Sequence, residues 1–143
     1  MDDLDQKIVK ELQKNGRVTN SAIANKYNCN EGTIRQRIKK LIDSGVIKVS
    51  AQLNPEKLVN YQLFTLGINV KESRDLAIVA EKLGQLPEAQ SVAIVSGRYD
   101  ILLELAVTEQ GSFVEFLTKS LSSIEGIASS ESFMLIKTYN RWL

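Results

Sequence analysis

Residues 33 to 41 read TIRQRIKKL, and their spacing could do one kind of chemistry. At about 100° per residue, Ile34, Ile38, Leu41 and Ile42 fall on one side of a helix, and Gly32, Gln36 and Lys40 fall on the other. Thr33 and Lys39 lie next to the polar side, and Arg35 and Arg37 lie on its two flanks. Thr33 and Gln36 are short and close to the helix N-terminus, so they suit the edges of bases in a DNA major groove. Arg35, Arg37, Lys39 and Lys40 suit phosphates, which supply affinity more than sequence choice. A basic outer face is also what a merely solvated helix carries. Arg37 borders the apolar side and has a second reading, as the partner of a local carboxylate.

The elements around this helix must hold it out. Leu4, Ile8 and Leu12 make one apolar helix face, with Asp2, Asp3 and Asp5 at the positive end of its dipole and Asn15-Gly16 as its stop. Thr19, Asn20 or Ser21 caps a second helix that turns Ile23, Ala24 and Tyr27 inward. Asn28-Cys29-Asn30 makes a turn, and Asn30 caps the third helix. Gly45 ends it, and Val46-Ile47-Lys48 reads as a following strand. This is the order of a winged helix-turn-helix over residues 1–50.

Asn54-Pro55 breaks the pattern, so 51–60 reads as strand and linker. From 61 to 143 the order is β-α-β-β-α-β. A strand over 61–71 places Phe64, Leu66, Ile68 and Val70 on one face. Ser73 caps a helix with Leu76, Val79, Ala80 and Leu83 inward. Strands follow at 91–96 and 101–107, joined through the turn Gly97-Arg98-Tyr99-Asp100. A second helix carries Phe113, Val114, Phe116, Leu117 and Leu121, and a last strand spans 130–138. The fold class is therefore α+β, a winged helix-turn-helix followed by a ferredoxin-like βαββαβ domain. Strand 101–107 is apolar on both faces, which calls for a second subunit's sheet against the face without helices.

Charge divides the same way. Residues 1–50 carry ten Lys/Arg against six Asp/Glu, a net +4, and residues 51–143 carry eight against eleven, a net −3. The first half alone suits a polyanion. The 143 residues are 43% hydrophobic and 24% charged, which fits a globular protein. No apolar run approaches a membrane span, and the acidic N-terminus is no secretory signal. A single cysteine, Cys29, fits a cytoplasmic protein. There is no histidine, which removes the commonest acid–base group and haem ligand, and no Cys cluster for a metal. No cofactor and no enzyme activity are expected. An architectural protein that wraps DNA with little sequence choice is the alternative to a site-specific regulator.

Four blocks, in order and spacing, resemble the Lrp/AsnC family of feast/famine transcription regulators. They are Asp2 and Asp5 with Ile8 and Gly16-Arg17; TIRQRIKKL at 33–41 with GVI at 45–47; SGRYD at 96–100; and GIASSES at 126–132. The resemblance spans the chain. It implies a regulator that binds double-stranded DNA and answers to a small effector, commonly an amino acid. It implies a homodimer that can assemble further, to octamers in some members. It implies an effector site at Gly97, Tyr99 and Asp100, with a last-strand hydroxyl supplied by Ser130 or Ser132. From the residues alone, Gly97 to Asp100 reads equally as a plain hairpin turn whose aspartate bonds the backbone. Some relatives of the family are siroheme decarboxylases, which the absence of histidine argues against. Asn140-Arg141-Trp142-Leu143 has no counterpart in the family.

Overall fold

Each helix of the first fifty residues begins where a side-chain oxygen takes up an orphan backbone N–H. Asp2 caps α1 (Asp3–Lys14) in a reciprocal capping box: the Asp5 N–H donates to Asp2 Oδ1 at 2.9 Å and the Asp2 N–H to Asp5 Oδ2 at 3.1 Å. Of the three capping candidates for α2 (Asn20–Lys26), Thr19 does the work, accepting from the Ala22 N–H at 3.2 Å. Asn30 caps α3 (Glu31–Asp43), accepting from the Gly32 N–H at 2.7 Å. The three helices close on Ile8, Ile23, Ala24, Ile34 and Leu41.

These features come from a computed structural model, which describes residues 1–108 and 112–143 and divides into two units, Met1–Ala51 and Gln52–Leu143. Two expectations fail in the first unit. Ile42 is 44% exposed rather than packed. Gly45, at φ +69°, turns the chain back after α3, and Ile47 packs against the core instead. The strand expected at 46–48 does not form among the described residues: Val46 lies in a bend, and the Val46 and Ile47 N–H groups donate to the Leu41 carbonyl at 2.9 and 3.3 Å. Val46 and Val49 stay exposed to water.

In the second unit β1 (Tyr61–Val70), β2 (Ala89–Ile94), β3 (Ile101–Thr108) and β4 (Ile127–Met134) form one antiparallel sheet in the order β2-β3-β1-β4. A helix, α4 (Leu76–Gly84), follows β1, and a mixed helical segment over 113–123 follows β3. Alternation decides the core. Phe64, Leu66 and Ile68 of β1 and Ile101, Leu103, Leu105 and Val107 of β3 meet Val79, Leu83, Phe116 and Leu121 from the helices.

The differences from expectation here are local. Ser73 does not cap α4; it opens a 3₁₀ turn, Ser73–Asp75, that leads into the helix. β2 lies at 89–94 instead of 91–96, and β4 at 127–134 instead of 130–138, because pairing with β3 and β1 sets their ends. Val114 is exposed, since the segment turns Phe113 and Phe116 toward the sheet. On the face without helices Leu63 and Ala106 are already buried within the single chain.

Candidate nucleic-acid interface and effector loop

The outer face of α3 forms one side of a surface groove of about 380 Å³ lined by Asp2, Asp5, Thr33, Gln36, Arg37 and Lys40. Thr33, Arg35, Gln36, Lys39 and Lys40 are all exposed. The capped N-terminus of α3 puts Thr33 and Gln36 on its first two turns. Neither these two side chains nor that of Lys40 makes a hydrogen bond or ion pair among the described residues.

Arg37 follows the second of its two readings. Its Nη1 donates to Asp2 Oδ2 at 2.5 Å and to Asp5 Oδ1 at 2.9 Å. The guanidinium holds both carboxyls below their ordinary range, helped by the reciprocal backbone bonds of the capping box. Arg37 therefore ties α3 to the start of α1 through Nη1. Asp2 and Asp5 in the groove were not foreseen as neighbours of Gln36, although their D-x-x-D spacing marks the capping box.

Every carboxylate of the first unit has a cationic partner: Asp3 with Lys7, Glu11 with Lys26, Glu31 with Arg35, Asp43 with Lys39, and Asp2 and Asp5 with Arg37. Lys10, Lys14, Arg17, Lys40 and Lys48 enter no ion pair among the described residues. The net positive charge of this unit thus sits on cations that no local acid neutralises, as a polyanion surface requires.

The turn between β2 and β3 is tightly bonded. Gly97 sits at φ +144°, a value suited to glycine. The Val95 N–H donates to the Asp100 carbonyl and the Asp100 N–H to the Ile68 carbonyl, both at 3.0 Å. The Asp100 carboxylate accepts from the Val70 N–H at 2.9 Å. Asp100 thus bonds the backbone, as the plain-turn reading has it. Tyr99 folds over Gly67 so closely that a β-carbon there would lie 2.5 Å from Tyr99 Cδ2. Its hydroxyl donates to the Glu131 carboxylate, and its ring meets Phe133 edge-on at 6.4 Å.

The five residues named for the effector do not form one cluster. Glu131 pairs with Gly67 across the β1–β4 ladder, so Tyr99 and Glu131 share the face without helices. Ser132 pairs with Leu66 and Ser130 with Ile68, which puts both serines on the helix-covered face, at the exposed edge strand. Glu131 is the partner that sequence reasoning missed; a glycine inside a strand was the available signal of a close approach.

Arg141 and Leu143 are tied into the second unit. Arg141 grips Glu104 with Nη1 at 3.1 Å from Oε1 and Nη2 at 2.9 Å from Oε2, and Ser91 donates to the same carboxylate at 2.9 Å. Arg141, ahead of Ser91, holds the Glu104 carboxyl below its ordinary range. Leu143 and Leu53 exchange both backbone bonds, at 2.9 and 3.0 Å. Glu56 accepts from Lys137 Nζ and from the Thr138 N–H and hydroxyl, and these hold its carboxyl down to about 2.

Among the described residues no helix is long and apolar enough to cross a membrane, and no three His, Cys, Asp or Glu side chains stand where they could hold a metal. The family model for a winged helix-turn-helix DNA-binding domain matches residues 1–48, and that for an Lrp/AsnC ligand-binding domain matches residues 63–141. The HTH-type transcriptional regulator FL11 of Pyrococcus furiosus is 35% identical over 140 residues, covering 97% of this chain and 91% of that one. The fold is similar to that of the leucine response regulatory protein of Mycobacterium tuberculosis, with a TM-score of 0.84, 22% identity and coverage of 99% and 96%. It is also similar to a transcriptional regulator of Neisseria meningitidis solved with L-Met, with a TM-score of 0.74, 26% identity and coverage of 99% and 93%.

Proposed function

We infer the function of this chain from the premise that it belongs to the Lrp/AsnC family of transcriptional regulators, with a helix-turn-helix for DNA and a domain for a ligand. We assign residues 1–50 to DNA binding, 51–60 to a linker, and 61–143 to effector binding and oligomerisation. The protein acts in the cytoplasm as a regulator and not as an enzyme.

α3 enters the major groove by its N-terminal turns. Thr33 and Gln36 address base edges, and Arg35, Lys39 and Lys40 hold phosphates. The observation that carries this reading is the groove shared by Thr33, Gln36 and Lys40, whose side chains have no partner among the described residues. Arg37 contributes by fixing α3 against α1. The effector is an amino acid; the L-Met bound to the Neisseria relative supports that class. The two sheets of a homodimer meet through the faces without helices, and the dimer sets two copies of α3 on half-sites about one DNA turn apart.

Selection of bound sequences from a random DNA library tests the reading. It should enrich a two-fold-symmetric site with half-sites about 10 base pairs apart, centre to centre. A pool that stays random through successive rounds would refute site-specific regulation.

A further inference from the structure

Most of the uncompensated positive charge of the first unit lies off α3. Lys10, Lys14, Arg17, Lys40 and Lys48 have no ion pair among the described residues, and α3 carries only Lys40 of them. Lys10 and Lys14 stand on α1, Arg17 follows its C-terminal end, and all three are exposed. Counted from the buried Ile8 at about 100° per residue, Lys7, Lys10 and Lys14 fall between about 200° and 260°, on the side of α1 opposite the core. Asp3 is the one carboxylate on that side, and Lys7 engages it at 2.6 Å.

The ion pairs between helices fix which way this stripe faces. Asp5, about 60° to one side of Ile8, meets Arg37 of α3 at 2.9 Å. Glu11, about 60° to the other side, accepts from Lys26 of α2 and from the Tyr27 hydroxyl, both at 2.8 Å. The stripe therefore turns away from both helices, and Lys14 and Arg17 stand at the end of α1 remote from Arg37. A duplex seated on the outer face of α3 does not reach them. Lys7 to Lys14 span about 10 Å, roughly three phosphate steps of one strand along the DNA axis. Cations at that spacing suit the phosphate backbone, which carries no sequence information. We infer that the outer face of α1 holds a second segment of duplex DNA, without sequence choice, while α3 holds the first. The inference rests on the DNA-binding reading above and adds a surface that α3 does not supply.

The test is capture of a labelled random duplex by the full chain already bound to a bead-held duplex that carries the selected site. Wild type should capture the random duplex, and three phosphate contacts per protomer should weaken that capture roughly fortyfold between about 50 and 200 mM salt. The triple variant Lys10→Ala, Lys14→Ala, Arg17→Ala should lose capture, with melting temperature unchanged and affinity for the site within a few fold, because the three residues are exposed. Lys10→Arg, Lys14→Arg, Arg17→Lys should keep capture. Capture unchanged in the triple alanine variant would overturn the inference and leave the stripe to solvent or to an acidic protein. Capture lost in Lys40→Ala instead would place the second duplex on another copy of α3 and overturn it too. A triple alanine variant that loses the selected site as well would put both surfaces on one duplex, against the inference. Wild type that binds the site but captures nothing would overturn the inference alone, and wild type that binds no DNA would overturn the DNA-binding reading itself.

Discussion

Lys40→Ala and Arg37→Ala separate a cation that meets DNA from one that shapes the protein. Both residues line the same groove and carry the same charge, so composition cannot tell them apart. Lys40 has no ion pair among the described residues, whereas Arg37 spans Asp2 and Asp5 at 2.5 and 2.9 Å. If Lys40 neutralises one phosphate, its loss flattens the plot of log affinity against log salt by about 0.9 per protomer, or about 1.8 for a dimer. Over a fourfold change in salt, that reduces the affinity drop by roughly a factor of ten. Arg37→Ala instead leaves the slope unchanged, lowers the melting temperature of the first unit, and frees Asp2 and Asp5 to titrate nearer their ordinary range. Fluorescence anisotropy on one DNA fragment over about 50–200 mM salt reads the slopes, and calorimetric melting reads the stability. A slope flattened by Arg37→Ala as much as by Lys40→Ala would refute the assignment of Arg37 to α1. A slope unmoved by Lys40→Ala would remove α3's outer face from the phosphate backbone.

Gln36→Ala should relax preference at one base position by about 1–3 kcal/mol, read by binding to every single-base variant of the selected site; a uniform loss across all variants would contradict base reading. Ile34→Ala, at a fully buried core position of the first unit, should cost about 2–5 kcal/mol in chemical denaturation. Gly67→Ala should push Tyr99 off β1, because a β-carbon would meet its ring at 2.5 Å, and NMR should show Tyr99 and Glu131 shifting together. Glu56 is lowered from 4.5 to about 2 by Lys137 and then Thr138. Its contribution to holding residues 137 and 138 is therefore complete above about 4.5 and is lost as pH falls through about 2. The amide signal of Thr138 should follow that titration in the wild type, and Glu56→Gln should abolish it.

The helices of the first unit were legible because their signals are local. Asp2, Thr19 and Asn30 cap from within three residues, and Leu4, Ile8 and Leu12 of α1 and Ile34, Ile38 and Leu41 of α3 recur at helical spacing. The βαββαβ order was legible for the same reason, from alternation on β1 and β3 and the short turn at Gly97. What failed depends on partners far along the chain. A strand at 46–48 needs a second strand, and none pairs with it among the described residues. The ends of β4 are fixed by register with β1, not by its own residues. The effector loop illustrates the same limit. Ser130 and Ser132 share one face by alternation, but the direction in which Tyr99 folds is set by Gly67, 32 residues earlier, and by Glu131, 32 residues later. The grip of Arg141 on Glu104, across 37 positions, was likewise beyond local pattern.

One measurement reaches sequence reading by α3 most directly: affinity for the selected DNA site against random DNA of equal length, across a salt series. A site-specific regulator predicts a ratio of about a thousandfold or more, lost in Gln36→Ala while the salt slope is kept. A ratio of only a few fold with a steep salt slope would contradict it and would describe a protein that wraps DNA without choosing where.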